Sequence, residues 1–154
     1  MTEFQVAVVD DGPMVRATAT LPGAPPDRVL AAFTDPDLLA RWWGGELAST
    51  LEPGTPYAVA FTRLGRVITG KVVAYQRASR LEYTWQWDHE PEAVWRTVLV
   101  TVTPDDTGAG TALTITHGPH GDGEAEAASR AEHREGWEFF LPRLAAQFTE
   151  YDIP

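Results

Sequence analysis

The sequence has no cysteine and only one lysine, and these two scarcities already narrow the range of functions. Without cysteine the chain forms no disulfide and offers no thiolate for catalysis or for metal binding. Its other basic residues are arginines scattered along the chain, and the formal net charge is −10. Nucleic acids and anionic membrane surfaces are therefore disfavoured as partners.

Long apolar runs are missing as well. No stretch approaches the ~20 consecutive apolar residues of a membrane-spanning helix, and the N-terminal residues lack the basic and apolar parts of a signal peptide. These features predict a cytoplasmic protein. The length of 154 residues suits one folding unit, so we expect a single domain over residues 1–154.

Sequence patterns for three kinds of catalytic site are weak or missing. His117 and His120 supply two imidazoles, but no third ligand stands at a fixed helical spacing, whereas catalytic zinc usually takes three protein ligands. No serine has the surroundings of a nucleophile elbow, and no glycine-rich phosphate loop joins a strand to a helix. We therefore expect no metal and no cofactor.

A strict alternation of residue types is present from Leu81 to Asp88, where every odd position is large and apolar and every even one is polar. This pattern is typical of a strand with one face in water. Its inward face carries three aromatic rings: Tyr83, Trp85 and Trp87. Such a row either fills a core or lines a ligand cavity. Because the N–H and O–H groups of 6 tryptophans and 4 tyrosines need partners when buried, we favour a cavity.

Period-two patterns and turn residues around this segment predict an antiparallel meander. Its predicted strands are residues 57–63, 66–76, 81–88, 94–103 and 111–117. Two further strand patterns, 4–9 and 14–21, flank the turn residues 10–13 near the N-terminus. These turn residues fit either a hairpin or an interruption within one long strand.

Three helices are predicted outside the strands. Proline and aspartate residues open short helices over 28–33 and 37–43. A long helix is predicted over about 124–151, and Pro142 is expected to kink it because proline removes a backbone hydrogen bond. One stripe of this helix carries the residues Gly136, Trp137, Phe140, Leu141, Leu144 and Phe148.

Several short motifs stand in an order that resembles a known family. They are APPDRV at 24–29, TDPDLLARWW at 34–43, LEYTW at 81–85, GTAL at 110–113 and GW at 136–137. Together they are similar to the activator of heat-shock-protein ATPase homologue family, within the START-like (SRPBCC) superfamily, from about Met14 to Phe148. The resemblance implies an α+β helix-grip fold. In this fold a curved antiparallel β-sheet wraps around a long C-terminal helix, with two short helices after the first strand.

The resemblance also implies a cavity between the sheet and the C-terminal helix. Pockets for small ligands usually measure ~300–1,000 Å³. The ligand-binding residues expected on this basis are Trp42, Tyr57, Phe61, Tyr75, Tyr83, Trp85, Trp87, Trp95, His117, Trp137, Phe140, Leu141 and Leu144. The expected function is binding of a bulky hydrophobic or aromatic molecule such as a polyketide-type metabolite. Enediyne binding in antibiotic self-resistance is one form of this function.

Two other functions stay open for such a chain. One is a polyketide cyclase or aldol-type enzyme, in which His117, His133 or a buried carboxylate beside Arg96 moves a proton. The pattern leaves open whether Arg96 and His117 point inward, while His89 and His120 are expected in solvent. The other is a co-chaperone-like interaction domain. Binding without catalysis is favoured, by a monomer or a weak homodimer.

Overall fold

The computed structural model describes residues 5–43, 45–47, 52, 54–61, 65–88 and 96–151. The predicted site residue Trp95 and the turn residue His89 lie outside these ranges. The elements in chain order are β1 (Gln5–Asp11), β2 (Met14–Leu21), α1 (Pro26–Thr34), α2 (Pro36–Trp43), β3 (Glu46–Leu47), β4 (Pro56–Phe61), β5 (Arg66–Gln76), β6 (Arg80–Trp87), β7 (Arg96–Pro104), β8 (Thr111–Gly118) and α3 (Glu124–Tyr151).

The N-terminal segment forms a hairpin, which decides between the two alternatives. Strands β1 and β2 pair antiparallel from Gln5 opposite Thr20 to Asp11 opposite Met14. The turn between them contains Gly12 at a φ of 59°, a conformation that costs glycine least. Because the hairpin contributes two strands, the short helices follow the second strand of the fold and not the first.

The strands form one curved sheet in the order β1-β2-β8-β7-β6-β5-β4-β3, and every neighbouring pair is antiparallel. The inward side chains of the central strands pack against α3, where Leu141 and Leu144 are completely buried. This arrangement is the predicted helix-grip fold. Among the described residues, α3 and the other helices lack the combination of length and apolar character needed to cross a membrane.

The short helices follow from local chemistry. Pro26 begins α1, where a missing backbone N–H leaves no hydrogen bond unmade. The side chain of Asp35 accepts hydrogen bonds from the backbone N–H groups of Asp37 and Leu38, which caps α2. Helix α2 is tied to α1 by Trp42, whose Nε1–H donates to the carbonyl oxygen of Ala32 at 2.8 Å. Helix α3 runs on through Pro142 as a single helix.

The alternation predicted for β6 is confirmed from Leu81 to Trp85 but breaks after it, where Gln86 is buried and Trp87 is only partly buried. Leu81, Tyr83 and Trp85 are at most 4% exposed, and the residues between them, Glu82 and Thr84, are only partly buried. Strand β6 is paired with β5 on one side and β7 on the other. Its inward aromatic residues therefore lie in the middle of the sheet, facing α3.

Candidate functional site

A cavity of about 150 Å³ lies between one end of the sheet and α3. The strands contribute Phe61, Trp85, Trp87 and His117 to its wall. Helix α2 contributes Trp43, and α3 contributes Glu132, His133, Gly136, Trp137 and Phe140. We call this space the aromatic cavity, because indole, phenyl and imidazole rings form most of its surface.

The aromatic cavity is smaller than the sequence-based expectation. Ligand pockets usually measure ~300–1,000 Å³, whereas a cavity of about 150 Å³ takes a group the size of one aromatic ring. Large rings occupy much of the space between sheet and helix. The ring centroid of Trp85 lies 5.3 Å from that of Trp43 and 5.8 Å from that of Trp87. The cavity as formed therefore admits one ring of a ligand rather than a whole bulky molecule.

The structure brings six of the predicted ligand-binding residues together at the cavity wall: Phe61, Trp85, Trp87, His117, Trp137 and Phe140. His133, predicted as a catalytic alternative to His117, lines the same cavity. These residues come from β4, β6, β8 and α3, so the cavity exists only after the sheet has closed on the helix. Their role in binding stays a prediction.

Other predicted residues are buried elsewhere. Trp42, Tyr83, Leu141 and Leu144 are at most 3% exposed and belong to the packed core, not to the cavity wall. Trp42 stacks on Trp43, with ring centroids 5.5 Å apart, so it supports the cavity wall from behind. Their inward orientation was predicted correctly, but close packing leaves no ligand space beside them.

Two tyrosines differ from the expectation for physical reasons. The hydroxyl of Tyr57 donates to the carbonyl oxygen of Thr84, crossing Gly70, where any Cβ would collide with that oxygen. Tyr75 is 36% exposed and pairs with Leu81, beyond a bulge in β5. The cavity borders the end of β6 that carries Trp87. Since β6 rises ~3.3 Å per residue, Leu81 and its partner Tyr75 lie roughly 20 Å from that end.

The prediction missed Trp43 and Glu132 as wall residues. Glu132 stands four residues before Gly136 on α3, and residues at this spacing share a helix face, so the sequence did contain a usable signal. Trp43 follows Trp42 directly, and neighbouring side chains on a helix point about 100° apart. Only the tertiary structure shows which of the two indoles faces the cavity.

Three histidines meet beside the cavity, and one of them contradicts the prediction. His120 is 4% exposed, so its expected position in solvent is wrong. The backbone N–H of His120 donates to the carbonyl oxygen of Pro13 at 2.7 Å, which pulls the link after β8 onto the β1–β2 turn. His117 and His133 are 1% and 6% exposed, and their rings stack with centroids 4.1 Å apart.

Hydrogen bonds fix the positions of the hydrogens on two of these rings. Trp87 donates from Nε1 to Nε2 of His133 at 3.2 Å, so the hydrogen of a neutral His133 lies on Nδ1. That Nδ1 is 2.9 Å from Nε2 of His120, which therefore accepts. The remaining hydrogen of His120, on Nδ1, points to the carbonyl oxygen of Pro13 at 3.0 Å. All three bonds form with both imidazoles neutral.

Burial keeps these imidazoles neutral. It lowers the pKa of His133 to about 3, together with smaller contributions from the nearby His120 and the positive charge of Arg96. It also lowers the pKa of His117 well below its usual value, helped by the neighbouring histidines and Arg96. Burial likewise lowers the pKa of His120. At neutral pH the cavity is therefore bordered by uncharged imidazoles that carry one hydrogen each.

His117 is held from the opposite side. Nε1 of Trp137 donates to its Nδ1 at 3.1 Å, so a neutral His117 carries its hydrogen on Nε2. Neither this Nε2 nor Nε1 of Trp85 has a hydrogen-bond partner among the described residues. Both rings line the cavity, with centroids 4.8 Å apart. Both nitrogens have almost no accessible surface, so they are closed off from the cavity, and leaving such a buried donor unpaired costs ~1–3 kcal/mol.

Arg96 points inward, which decides an orientation that the sequence left open. It is 2% exposed, and its guanidinium donates to Glu126 at 2.8 Å and to the hydroxyl of Ser129 at 2.9 Å. The hydrogen bond from Arg96 lowers the pKa of Glu126, and Glu126 does not line the cavity. Glu126, the carboxylate that pairs with Arg96, does not support the hypothesis of a catalytic carboxylate at this position, because it does not line the cavity and its lowered pKa makes it a weaker proton acceptor.

The comparison with known families agrees with this geometry. Residues 23–149 match the family model described as Activator of Hsp90 ATPase homolog 1-like protein. The chain belongs to this family. The match begins at the end of β2 and includes every element that lines the aromatic cavity. No curated protein matches the sequence significantly.

Solved structures similar to this family member include proteins from several bacteria. DynU16, a protein of the dynemicin biosynthetic locus, is 28% identical to this chain, with a TM-score of 0.73. The superposition covers 89% of this chain and 47% of the DynU16 chain. This chain thus spans about half the length of DynU16. CV1439 from Chromobacterium violaceum is 25% identical, with a TM-score of 0.70 over 88% of this chain and 96% of its own. CalU16 from Micromonospora echinospora, 18% identical with a TM-score of 0.61 over 97% of this chain and 90% of its own, shares the fold.

Proposed function

We propose that this protein binds a hydrophobic small molecule of polyketide type by taking one of its aromatic rings into the aromatic cavity. The observation that carries the proposal is a cavity of about 150 Å³ whose wall is formed mostly by aromatic rings. Apolar walls with a few placed polar groups are the usual composition of small-molecule sites. The similarity to DynU16, a protein of a biosynthetic locus, supports a natural product as the ligand.

The size of the cavity determines how such a ligand fits. One ring fills about 150 Å³, so the rest of a larger molecule lies outside. Glu132 is exposed and also lines the cavity, which places the opening beside this residue on α3. The partly buried rings of Trp87 and Phe140 border the same space and offer apolar contact area. Binding and sequestration need no reaction, which suits self-resistance, with an enediyne as the narrower form of the proposal.

Gly136 provides a direct test, because it lines the cavity and a side chain here would find no heavy atom within 4 Å of its Cβ. We expect Gly136→Leu to weaken binding of aromatic polyketides by about tenfold or more, since the new side chain occupies the space of the ligand ring. Stability should stay constant or rise by up to about 0.8 kcal/mol, because glycine is a poor helix former. Titration of intrinsic Trp fluorescence with a polyketide panel measures binding, and chemical denaturation measures stability.

The matched control is Ala127→Leu, which introduces a leucine at an exposed position on the side of α3 opposite Gly136. This variant should bind like the unmodified protein. Absence of saturable quenching in the unmodified protein, or equal affinities for Gly136→Leu and Ala127→Leu, would contradict binding in this cavity.

Catalysis is a second candidate function, favoured by one observation. Two neutral imidazoles, those of His117 and His133, border the aromatic cavity, and an imidazole is the group that most often moves a proton in acid–base reactions such as those of a cyclase or aldol-type enzyme. The test is product formation from a poly-β-keto substrate analogue. A reaction at the buffer rate, together with saturable binding of the same analogue, would leave binding as the function.

A further inference from the structure

One charged side chain belongs to the wall of the aromatic cavity among the described residues, that of Glu132. Glu132 is exposed, so its charge stands at the opening and not in the interior. It lies one helical turn before Gly136, another wall residue, which is ~6 Å along α3. Within the described part of the chain, no arginine or lysine forms an ion pair with Glu132. The opening therefore presents a negative charge that no described residue neutralises.

The positive charges of the surrounding elements do not reach this wall. His117 and His133 border the cavity as neutral imidazoles, because burial lowers the pKa of each. The buried guanidinium of Arg96 is paired with Glu126, and neither residue lines the cavity. Arg66 is exposed at the start of β5 and does not line the cavity either. The electrostatic potential at the opening is therefore set chiefly by a carboxylate, in a chain whose net charge is −10.

The rings around the opening favour the same sign of ligand charge. Trp87 and Phe140 are partly buried and line the cavity, so part of each ring is within reach of a group at its edge. The face of an aromatic ring attracts a cation placed within ~6 Å of its centroid. An anion is repelled by Glu132 and gains nothing from these rings, whereas a cation is attracted by both.

We infer that Glu132 selects ligands in which a protonated amine is joined by a short chain to the ring that enters the aromatic cavity. The ammonium group lies outside, beside the carboxylate. This inference rests on the proposed function and adds the charge of the part of the ligand that stays at the opening. Because the ammonium group remains in contact with water, little loss of hydration opposes the ion pair.

The dimensions of the opening suit such a ligand. Glu132 and Gly136 are ~6 Å apart along the helix axis, so a ring held beside Gly136 is about that far from the carboxylate. A chain of two carbons and one charge-assisted hydrogen bond of ~2.8 Å together cover a distance of this order. A directly attached amine would instead be drawn into the apolar space with the ring, where a charge is costly.

Three probes with one ring and chains of similar length test the inference. N-methylphenethylamine is a cation at neutral pH, phenethyl methyl ether is neutral, and hydrocinnamate is an anion. Binding is followed through the indole ¹H–¹⁵N signals of the ¹⁵N-labelled protein, since Trp85, Trp87 and Trp137 line the cavity. At low ionic strength we expect the amine to bind about three- to fivefold more tightly than the ether, and hydrocinnamate to bind more weakly than both.

Glu132→Gln removes the charge and keeps nearly the same side-chain shape. The ratio of the amine affinity to the ether affinity should fall about three- to fivefold in this variant, and the ether affinity itself should change by less than about twofold. Glu138→Gln is the matched control, because it removes the same charge from an exposed position of α3 that does not line the cavity. Its affinity ratio should stay within about 1.5-fold of that of the unmodified protein.

Ionic strength provides an independent measurement on the unmodified protein. At about 1 M salt the Debye length is ~3 Å, so the preference for the amine should shrink toward the value in Glu132→Gln, while the ether affinity does not decrease. A preference for the amine that is independent of salt would contradict selection by an exposed carboxylate.

The outcomes separate the inference from the proposed function. If the ether binds and the amine-to-ether ratio is the same with and without Glu132, the charge selection is wrong while ring binding stands. An equal fall of the ratio in Glu132→Gln and Glu138→Gln also overturns the inference, because the effect then belongs to the overall charge of the protein. If no probe binds the unmodified protein, the proposed function fails, and the inference fails with it.

Discussion

Acidification from about pH 7 to about pH 5 should lower the free energy of unfolding by about 2 kcal/mol through His133 alone, with His117 and His120 acting in the same direction. Burial holds the pKa of His133 at about 3 and that of His117 well below its usual value. In the unfolded chain both have ordinary pKa values near ~6.5. The unfolded state therefore binds protons that the folded state does not, and stability present above about pH 6.5 is lost as the pH falls. His133 contributes about 2 kcal/mol over this range.

Chemical denaturation at a series of pH values measures this effect, with His133→Gln as the matched variant. Glutamine retains an oxygen that accepts from Trp87 but does not titrate, so the loss between about pH 7 and pH 5 should shrink by about 2 kcal/mol. The comparison with the variant is needed because acidification also reduces the net negative charge, which is −10 at neutral pH. Weaker repulsion between the negative charges stabilises the folded protein, so this effect opposes that of the histidines. The same pH dependence in both proteins would contradict the prediction.

Replacing Glu126 by glutamine should lower the free energy of unfolding by about 2–3 kcal/mol at neutral pH. The change leaves the guanidinium of Arg96, which is 2% exposed, beside a neutral amide, and removal of one partner from a buried ion pair costs about 3–5 kcal/mol. We expect a smaller value because the side chain of Glu126 keeps 30% of its exposure. Glu126 also accepts from the backbone N–H of Gly121 at 2.8 Å, so the link that carries His120 should loosen as well.

The matched control is Glu138→Gln on the same helix. Glu138 is 3.5 Å from Arg134, and their side chains are 53% and 33% exposed. Ion pairs of this kind contribute ~0–1 kcal/mol, so the control should stay within about 0.5 kcal/mol of the unmodified protein. Urea denaturation of the three proteins gives the comparison. If Glu126→Gln and Glu138→Gln lower the free energy of unfolding equally, burial of Arg96 does not make its ion pair more stabilising than an exposed one, and the prediction is wrong.

Much of the fold was predictable because its signals are local. The alternation in β6 depends only on side chains two residues apart, and the proline and aspartate residues that open α1 and α2 act within one helical turn. The hairpin at 10–13 was one of two alternatives, since a turn sequence permits strand pairing but does not require it. Pairing of β2 with β8, whose partner residues lie 90 to 102 positions apart in the chain, had no local signal.

The site was predictable only in part. The inward direction of Trp85, Trp87 and Trp137 followed from periodicity, but the same reasoning placed Tyr57 and Tyr83 in the cavity. Periodicity sorts residues into inward and outward sets. It does not show which inward residues border space and which touch one another, because that depends on the volumes packed from several elements at once.

By itself, the sequence determined the order of the elements, the inward face of β6, the family and the classes of partner that its charge and missing residues disfavour. Only the tertiary structure decided that His117, His120 and His133 meet, that Arg96 is buried, and that the cavity holds about one ring. The physical reason is distance along the chain. The aromatic row of β6 is a local property, whereas the position of the hydrogen on His117 depends on Trp137, a residue of another element that reaches it only after the sheet has closed on α3.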